Sequence, residues 1–337
     1  MNDSPSVGIT GLGAYAPPKV ITAEDLALET GIPADVLREK FGVDQVHRAD
    51  ENCHVSDMAA AAGTAALEDA DIQPANVDLV VYCGSEYKDY IVWSAATHIA
   101  GLLGCTNAEA FEIYALCAGT PIALRTVKDM MIAEPAFQTA LVVAASKESA
   151  LVNRANSRTR FMSNFGDGAG AAVIRREAGR NLLLGSASLV DSALSTATFM
   201  PAGGSRQRGY DDAGTDHYLD VPDLDAMRER LDEVSGANFR RVAAQALQRS
   251  GLEHADVLIP VHVKQSMHER LQSDLEVDRA IYLRGYGHMQ AADQLVGLLK
   301  ARSENILRQG DVVLLLAAGV GYTWSASVVR WGAANPR

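Results

Sequence analysis

One cysteine stands between a predicted strand and a predicted helix, and it is the strongest candidate for chemistry in this sequence. The run over residues 108–116 predicts a strand that leads into Cys117, and a helical pattern begins at Ile122. Pro121 suits the first turn of that helix, where its missing N–H is not needed. Because the positive end of a helix dipole stabilises a thiolate, Cys117 is predicted to be a nucleophile.

The other three cysteines carry no such signal. Cys83 falls in a predicted buried strand, and Cys53 and Cys105 lie in loop or helix-end contexts. No pair has C-x-x-C spacing, and no cysteine stands with histidine at zinc spacing. We therefore expect three structural cysteines, no disulfide framework and no metal site.

Composition narrows the class of protein. The 337 residues are 48% hydrophobic and 21% charged, which is typical of a globular enzyme with a large core. A net charge of −12 without a block of Lys and Arg disfavours binding to nucleic acid. The N-terminus lacks a basic segment followed by an apolar run, and no stretch reaches about 18 consecutive apolar residues. These features predict a cytoplasmic protein that binds no membrane.

The chain repeats its pattern at about half its length. Residues 65–82 predict the end of a helix, a loop and a buried strand, and residues 245–260 repeat this with a shorter loop. A Gly-rich turn that leads into an apolar strand at 166–174 is echoed at 317–329. The repeat indicates two similar halves.

Alternation of helices with continuous apolar strands is typical of sheets covered on both faces. Residues 141–145 and 312–316 are such strands. We predict an α/β fold in which residues 1–174 form a first half with the nucleophile. Residues 175–337 form a second half.

Five motifs together resemble the ketoacyl-acyl-carrier-protein synthase III family. They are ITGLGAYAP at 9–17, SDMA at 56–59, LCAG at 116–119, FGDGAG at 165–170 and GYTW at 321–324. The resemblance covers nearly the whole chain. It implies a thiolase-like αβαβα five-layer sandwich, built from two duplicated halves, that forms a homodimer.

The sequence departs from this family where condensing members assist decarboxylation. Those members use a histidine after a strand-ending proline and an asparagine in a Tyr-Gly-Asn turn, which together stabilise the enolate as CO2 leaves. Here Val261 follows Pro260, and His262 comes one residue later. Because a shift of one residue in an extended segment reverses side-chain direction, His262 replaces that histidine only if a bulge realigns it. Otherwise two interpretations of His262 are open. It either supports the catalytic residues or contacts the substrate, or it is a packed residue without a functional role.

The asparagine position is occupied by His288, and Asp293 follows five residues later. A histidine that faces a cysteine, with a carboxylate behind it, activates the nucleophile while the carboxylate fixes the tautomer. Because five positions on a regular helix differ by about 140°, Asp293 reaches His288 only if His288 precedes the helix. Cys117, His288 and Asp293 are the predicted catalytic residues. The pattern resembles the ketosynthase III-like acyltransferases of antibiotic pathways, which transfer acyl groups without decarboxylation.

The acyl donor and its contacts follow from the same resemblance. CoA-primed relatives share an early tryptophan that stacks on adenine and an Arg-Thr-Gly turn, and residues 34–43 contain neither. We expect no resident cofactor and a phosphopantetheine thioester of an acyl carrier protein as donor, with CoA as the alternative. An acidic carrier protein needs a basic docking spot, for which the candidates are Arg240, Arg241, Arg249 and Lys264.

Two further elements are implied. The loop over residues 87–94 resembles the family segment that crosses the dimer interface, so Val92 and Trp93 are predicted to shape the acyl pocket of the partner subunit. The backbone N–H groups of Cys117 and Val320 are the predicted oxyanion hole.

Three functions stay open. The first is acyl transfer through Cys117, His288 and Asp293 to a small-molecule hydroxyl or amine, or to a carrier thiol. The second is decarboxylating condensation in which His262 and His288 hold a malonyl carbonyl, and release of CO2 would select it. The third is an inert partner subunit, against which an intact Cys117 argues, since a scaffold has no use for an activated thiol.

Overall fold

A computed structural model describes residues 5–211 and 214–333, which form twelve strands and eight α-helices. The strands are β1 (Val7–Tyr15), β2 (Val20–Thr22), β3 (Gln45–His47), β4 (Leu79–Tyr82), β5 (Glu109–Glu112), β6 (Thr139–Ser146), β7 (Gly168–Arg176), β8 (Arg180–Val190), β9 (Val257–Pro260), β10 (Arg279–Ala280), β11 (Val312–Gly319) and β12 (Thr323–Ala333). The helices are α1 (Ala23–Thr30), α2 (Ala34–Glu39), α3 (Val55–Ala70), α4 (Ala95–Leu103), α5 (Gly119–Ala133), α6 (Leu224–Arg249), α7 (Gln265–Asp274) and α8 (Ala292–Ser303). Within the described ranges, none of these helices is long and apolar enough to cross a membrane.

The two halves of the chain build half-sheets with the same strand order. The order is β5-β4-β6-β7-β1 in the first half and β10-β9-β11-β12-β8 in the second. In each half the first three strands are parallel to one another, and each of the last two is antiparallel to the strand before it in this order. A single register pair, Gly8 with Leu182, joins the halves into one ten-stranded sheet. The repeat seen in the sequence is therefore a repeat of topology, although the boundary set at residue 174 falls inside β7.

Helices cover both half-sheets. The helices α5 and α8 contact strands of both halves and lie between them. The helices α3 and α4 pack on the first half, α6 covers the second, and α7 packs against α6. Every residue of β4, β6 and β9 is buried. This burial explains why these strands are continuously apolar rather than alternating.

The strand before the cysteine is shorter than residues 108–116. The strand β5 ends at Glu112, which pairs with Tyr82, the last residue of the neighbouring strand β4. The Ile113 N–H still donates to the Tyr82 carbonyl oxygen at 2.9 Å, and after it the chain leaves the sheet. It passes through Leu116, whose φ is +49°, into a 3-10 turn that contains Cys117 and continues as α5.

Candidate active site

Cys117 lies directly before α5, one of the two helices between the half-sheets, and 7% of its surface is exposed. A Cβ on Gly119 would meet the Cys83 carbonyl oxygen at 2.5 Å, so only glycine lets the helix begin this close to the end of β4. The N-terminal end of a helix stabilises negative charge. The predicted strand-to-helix position of Cys117 is therefore present, with the 3-10 turn between the two elements.

His288 is fixed by its own backbone. Its N–H donates to the Asn164 carbonyl oxygen at 2.8 Å, and its carbonyl oxygen accepts from the Gly166 N–H at 3.0 Å. The preceding Gly287 has a φ of +77°, and a Cβ there would lie 2.5 Å from the Asn164 oxygen. This anchoring places His288 Nε2 3.2 Å from Cys117 Sγ.

Asp293 is fully buried in the first turn of α8, directly behind His288. Its Oδ2 lies 2.7 Å from His288 Nδ1 and also accepts from the His262 backbone N–H at 2.7 Å. Its Oδ1 accepts from the Met289 N–H at 2.8 Å. Because a carboxylate accepts hydrogen bonds, His288 carries its proton on Nδ1 and presents Nε2 to Cys117. His288 precedes the helix, which is the condition that the five-residue spacing sets.

The surroundings of His288 favour its charged form. Burial by itself lowers the pKa of this imidazole, but the charges of Asp293 and Cys117, and the hydrogen bonds to both, raise that pKa well above 6.5. An imidazolium beside a thiolate is the ion pair that makes a cysteine nucleophilic.

Val261, not His262, faces the cysteine. Val261 packs in a small apolar cluster with Cys117, Ala118 and Ala317. The His262 ring stacks on Tyr282 with ring centroids 4.8 Å apart, and neither ring nitrogen has a hydrogen-bond partner among the described residues. No bulge realigns the segment, so what His262 gives the site is its backbone N–H to Asp293.

We expect acid to destabilise the protein through His262 and His268, which both pack on Tyr282. Burial lowers the pKa of each to about 4, from an ordinary value of 6.5. The unfolded chain therefore takes up these protons between pH 6.5 and 4 while the folded protein does not. The free energy of unfolding falls as pH falls through this window, by up to roughly 3 kcal/mol for each histidine.

Urea unfolding from pH 7 to pH 4 measures this loss, and His262→Phe is the matched variant. Phenylalanine keeps a ring on Tyr282 and cannot titrate, so the variant should lose less stability over the same window. An identical pH dependence in wild type and variant would contradict the assignment.

The predicted oxyanion hole lies beside the nucleophile. A Cβ on Gly319 would stand 3.0 Å from the Cys117 backbone nitrogen, so the turn from β11 to Val320 runs directly against Cys117. The absence of a side chain at Gly319 permits this approach. Whether the two N–H groups bind an oxyanion together stays a prediction.

The four basic candidates do not form one spot. Lys264 is exposed just after β9, with its Nζ 5.6 Å from the centroid of the Phe41 ring. Arg240 pairs with Asp274 at 2.7 Å, and Arg241 is exposed on the same helix.

Arg249 lies away from the strand end that bears Val261 and His262. It lies at the C-terminal end of α6, from which a short loop leads to the start of β9, whereas Val261 and His262 follow the other end of that strand. Its Nη1 donates to the Ser186 carbonyl oxygen at 2.6 Å. The sequence could not show this, because a helix of 26 residues spans about 39 Å and its two ends lie at different parts of the molecule.

The loop expected at a dimer interface is exposed and apolar. Val92 is fully exposed with a φ of +52°, and Tyr90 and Ile91 are also largely exposed. Trp93 is half-buried and packs edge-on against Tyr90, with ring centroids 5.6 Å apart. Val92 is therefore available to a partner, whereas Trp93 also supports its own loop.

Cys117, His288 and Asp293 form a hydrogen-bonded relay. Sequence reasoning missed a buried polar cluster beside this relay, formed by Ser85, Glu148 and Gln290. One signal could have found it. Ser85 and Glu148 follow the C-terminal ends of the buried strands β4 and β6, and polar residues at that edge of an α/β sheet commonly contact ligands. In the described part of the chain no group of His, Cys, Asp and Glu residues could hold a metal ion.

Two family models match the chain. The model of 3-oxoacyl-[acyl-carrier-protein] synthase III matches residues 111–192, and the model of its C-terminal part matches residues 247–331. The β-ketoacyl-[acyl-carrier-protein] synthase III of Rhodospirillum centenum is 31% identical over 328 residues, which are 96% of this chain and 98% of the relative.

Solved structures agree with the fold. The 3-oxoacyl-(acyl carrier protein) synthase III of Pseudomonas aeruginosa is 26% identical, with a TM-score of 0.82 over 98% of this chain and 100% of that one. The priming β-ketosynthase of the R1128 polyketide pathway is 21% identical, covers 99% of this chain and 98% of its own, and shares the fold with a TM-score of 0.86. The predicted thiolase-like fold is confirmed. The chain belongs to the 3-oxoacyl-[acyl-carrier-protein] synthase III family.

Proposed function

We propose that this protein is an acyltransferase that moves an acyl group through a Cys117 thioester without decarboxylation. The Cys117 thiolate attacks the donor thioester carbonyl, and the donor thiolate leaves with the proton of the His288 imidazolium. Neutral His288 then takes a proton from the acceptor hydroxyl, amine or thiol as the acceptor attacks the acyl-enzyme. Cys117 leaves as the thiolate, beside a His288 that is charged again.

The observation that carries the proposal is the continuous relay, with 3.2 Å from Cys117 Sγ to His288 Nε2 and 2.7 Å from His288 Nδ1 to Asp293. A histidine whose Nδ1 proton is held by a carboxylate is a base aimed at the thiol. The second support is Val261, which places an apolar side chain where decarboxylation would need a hydrogen-bond donor.

The donor and the assembly are parts of the same proposal. The relatives are named as acyl-carrier-protein synthases, and residues 34–43 lack the CoA-binding pattern, so we favour a carrier-protein thioester over CoA. Lys264 is the basic residue best placed to meet an acidic carrier, because it follows the strand end that bears Val261. The exposed Val92 supports a homodimer in which this loop enters the partner's acyl pocket.

Condensation is the second candidate, because the relatives carry the names of β-ketoacyl synthases. An assay with acyl-carrier donors, hydroxyl, amine and carrier-thiol acceptors, and malonyl donors in parallel separates the two. We expect acyl product from the purified protein and no CO2 above that of Cys117→Ala. Release of CO2 that survives Asp293→Asn but needs His262 would replace this proposal by condensation.

A further inference from the structure

Three buried polar side chains border the relay and have no part in it. Ser85, Glu148 and Gln290 are 0%, 7% and 2% exposed. Gln290 lies two residues after His288, and the charge of His288 acts on the Glu148 carboxyl group. The cluster is therefore near His288, and an acyl group on Cys117 would be near the same histidine, because Cys117 Sγ lies 3.2 Å from His288 Nε2.

The hydrogen bonds of Ser85 and Gln290 both end at the Glu148 carboxyl group. The Tyr87 N–H donates to Ser85 Oγ at 2.9 Å, so the Ser85 hydroxyl is free to donate to Glu148 Oε1, 2.7 Å away. Gln290 Nε2 donates to the same oxygen. Two donors thus converge on Glu148 Oε1, and a proton on this carboxyl group would be carried by Oε2.

Two polar atoms of the cluster take no part in these hydrogen bonds. Gln290 Oε1 is buried and has no hydrogen-bond partner among the described residues, and no hydrogen bond to Glu148 Oε2 occurs in that part of the chain. Burial raises the pKa of Glu148, although the bonds from Ser85 and Gln290 oppose the rise. When Glu148 is protonated, its Oε2 offers a donor, and Gln290, which already contacts this carboxyl group, offers an acceptor at Oε1. Leaving the buried Gln290 Oε1 unpaired is costly inside a protein.

We propose that Glu148 and Gln290 bind a hydroxyl group on the acyl chain, so that the substrates are hydroxylated acyl thioesters; this rests on the function proposed above. A hydroxyl group donates to Gln290 Oε1 and accepts from Glu148 Oε2, which pairs both atoms. A plain hydrocarbon chain pairs neither.

The test uses pairs of pantetheine thioesters that differ only in one hydroxyl group, in short aliphatic and in aromatic acyl series. Acylation of Cys117 is followed by intact mass. In at least one pair we expect kcat/KM to favour the hydroxylated donor by about 10-fold to 100-fold, because the analogue without the hydroxyl leaves buried polar groups unpaired. Glu148→Met should bring this ratio close to one.

Two further variants make the result specific. Glu148→Gln keeps the shape and a donor at the Oε2 position, so its ratio should lie between wild type and Glu148→Met. Glu253→Met makes the same change at an exposed glutamate and should keep the wild-type ratio. If all pairs are used equally, or if Glu148→Met keeps the ratio, Glu148 and Gln290 only pair with each other and the inference is wrong. If no donor acylates Cys117, the proposed function fails instead.

Discussion

Replacing Cys117 with alanine should abolish covalent acylation of the protein. An acyl-carrier thioester should add the acyl mass to wild type at one peptide, the one that contains Cys117. Burial raises the pKa of Cys83 to about 12 and that of Cys105 to about 11, and it also raises the pKa of Cys53. These thiols are not appreciably ionised at neutral pH, and the thiolate is the attacking species. Intact mass followed by peptide mapping measures the effect.

Cys105→Ala is the matched control, because it removes a buried thiol that packs in a different apolar cluster from Cys117. That variant should be labelled as wild type is. Labelling that persists in Cys117→Ala, or that maps to another cysteine in wild type, would remove the nucleophile from the proposal.

The fold could be predicted because its signals are local and repeated. Buried strands such as β6 are continuous apolar runs, and the same sequence of helix, loop and strand occurs in both halves. The length of β5 could not be predicted. Residues 113–116 are as apolar as a strand, but their neighbour β4 ends at Tyr82, and this is a property of another segment.

The arrangement of the site could be predicted from the sequence only in part. The opposite directions of Val261 and His262 follow from alternation in an extended chain, which needs no knowledge of the partner elements. The contact of His288 with Cys117 joins residues 171 positions apart, and only the family resemblance suggested it. Glu148 was missed because a glutamate after a strand is typical of a surface turn. It is buried and bonded to Gln290, whose φ of +56° has no signature in the sequence.

The relay should fail to different degrees when its two members are changed. His288→Ala removes the base and should lower transfer to the acceptor by about 100-fold to 10,000-fold. Asp293→Asn should cost less. In one orientation the Asn oxygen still accepts from His288 Nδ1 and the His262 N–H, and only the Met289 N–H meets a second donor. In the other orientation the amide N–H group donates to Nδ1, so that His288 turns a protonated Nε2 toward Cys117.

His262→Phe separates this relay from a condensing site, because the His262 side chain lies away from Cys117 and its backbone N–H to Asp293 is retained. Single-turnover transfer from acylated wild type, His288→Ala, Asp293→Asn and His262→Phe gives the order of effects. We expect the largest loss in His288→Ala, a smaller one in Asp293→Asn and the smallest in His262→Phe. A loss in His262→Phe as large as that in His288→Ala, with Asp293→Asn near wild type, would mean that two histidines act together on the substrate carbonyl and that Asp293 does not direct the base.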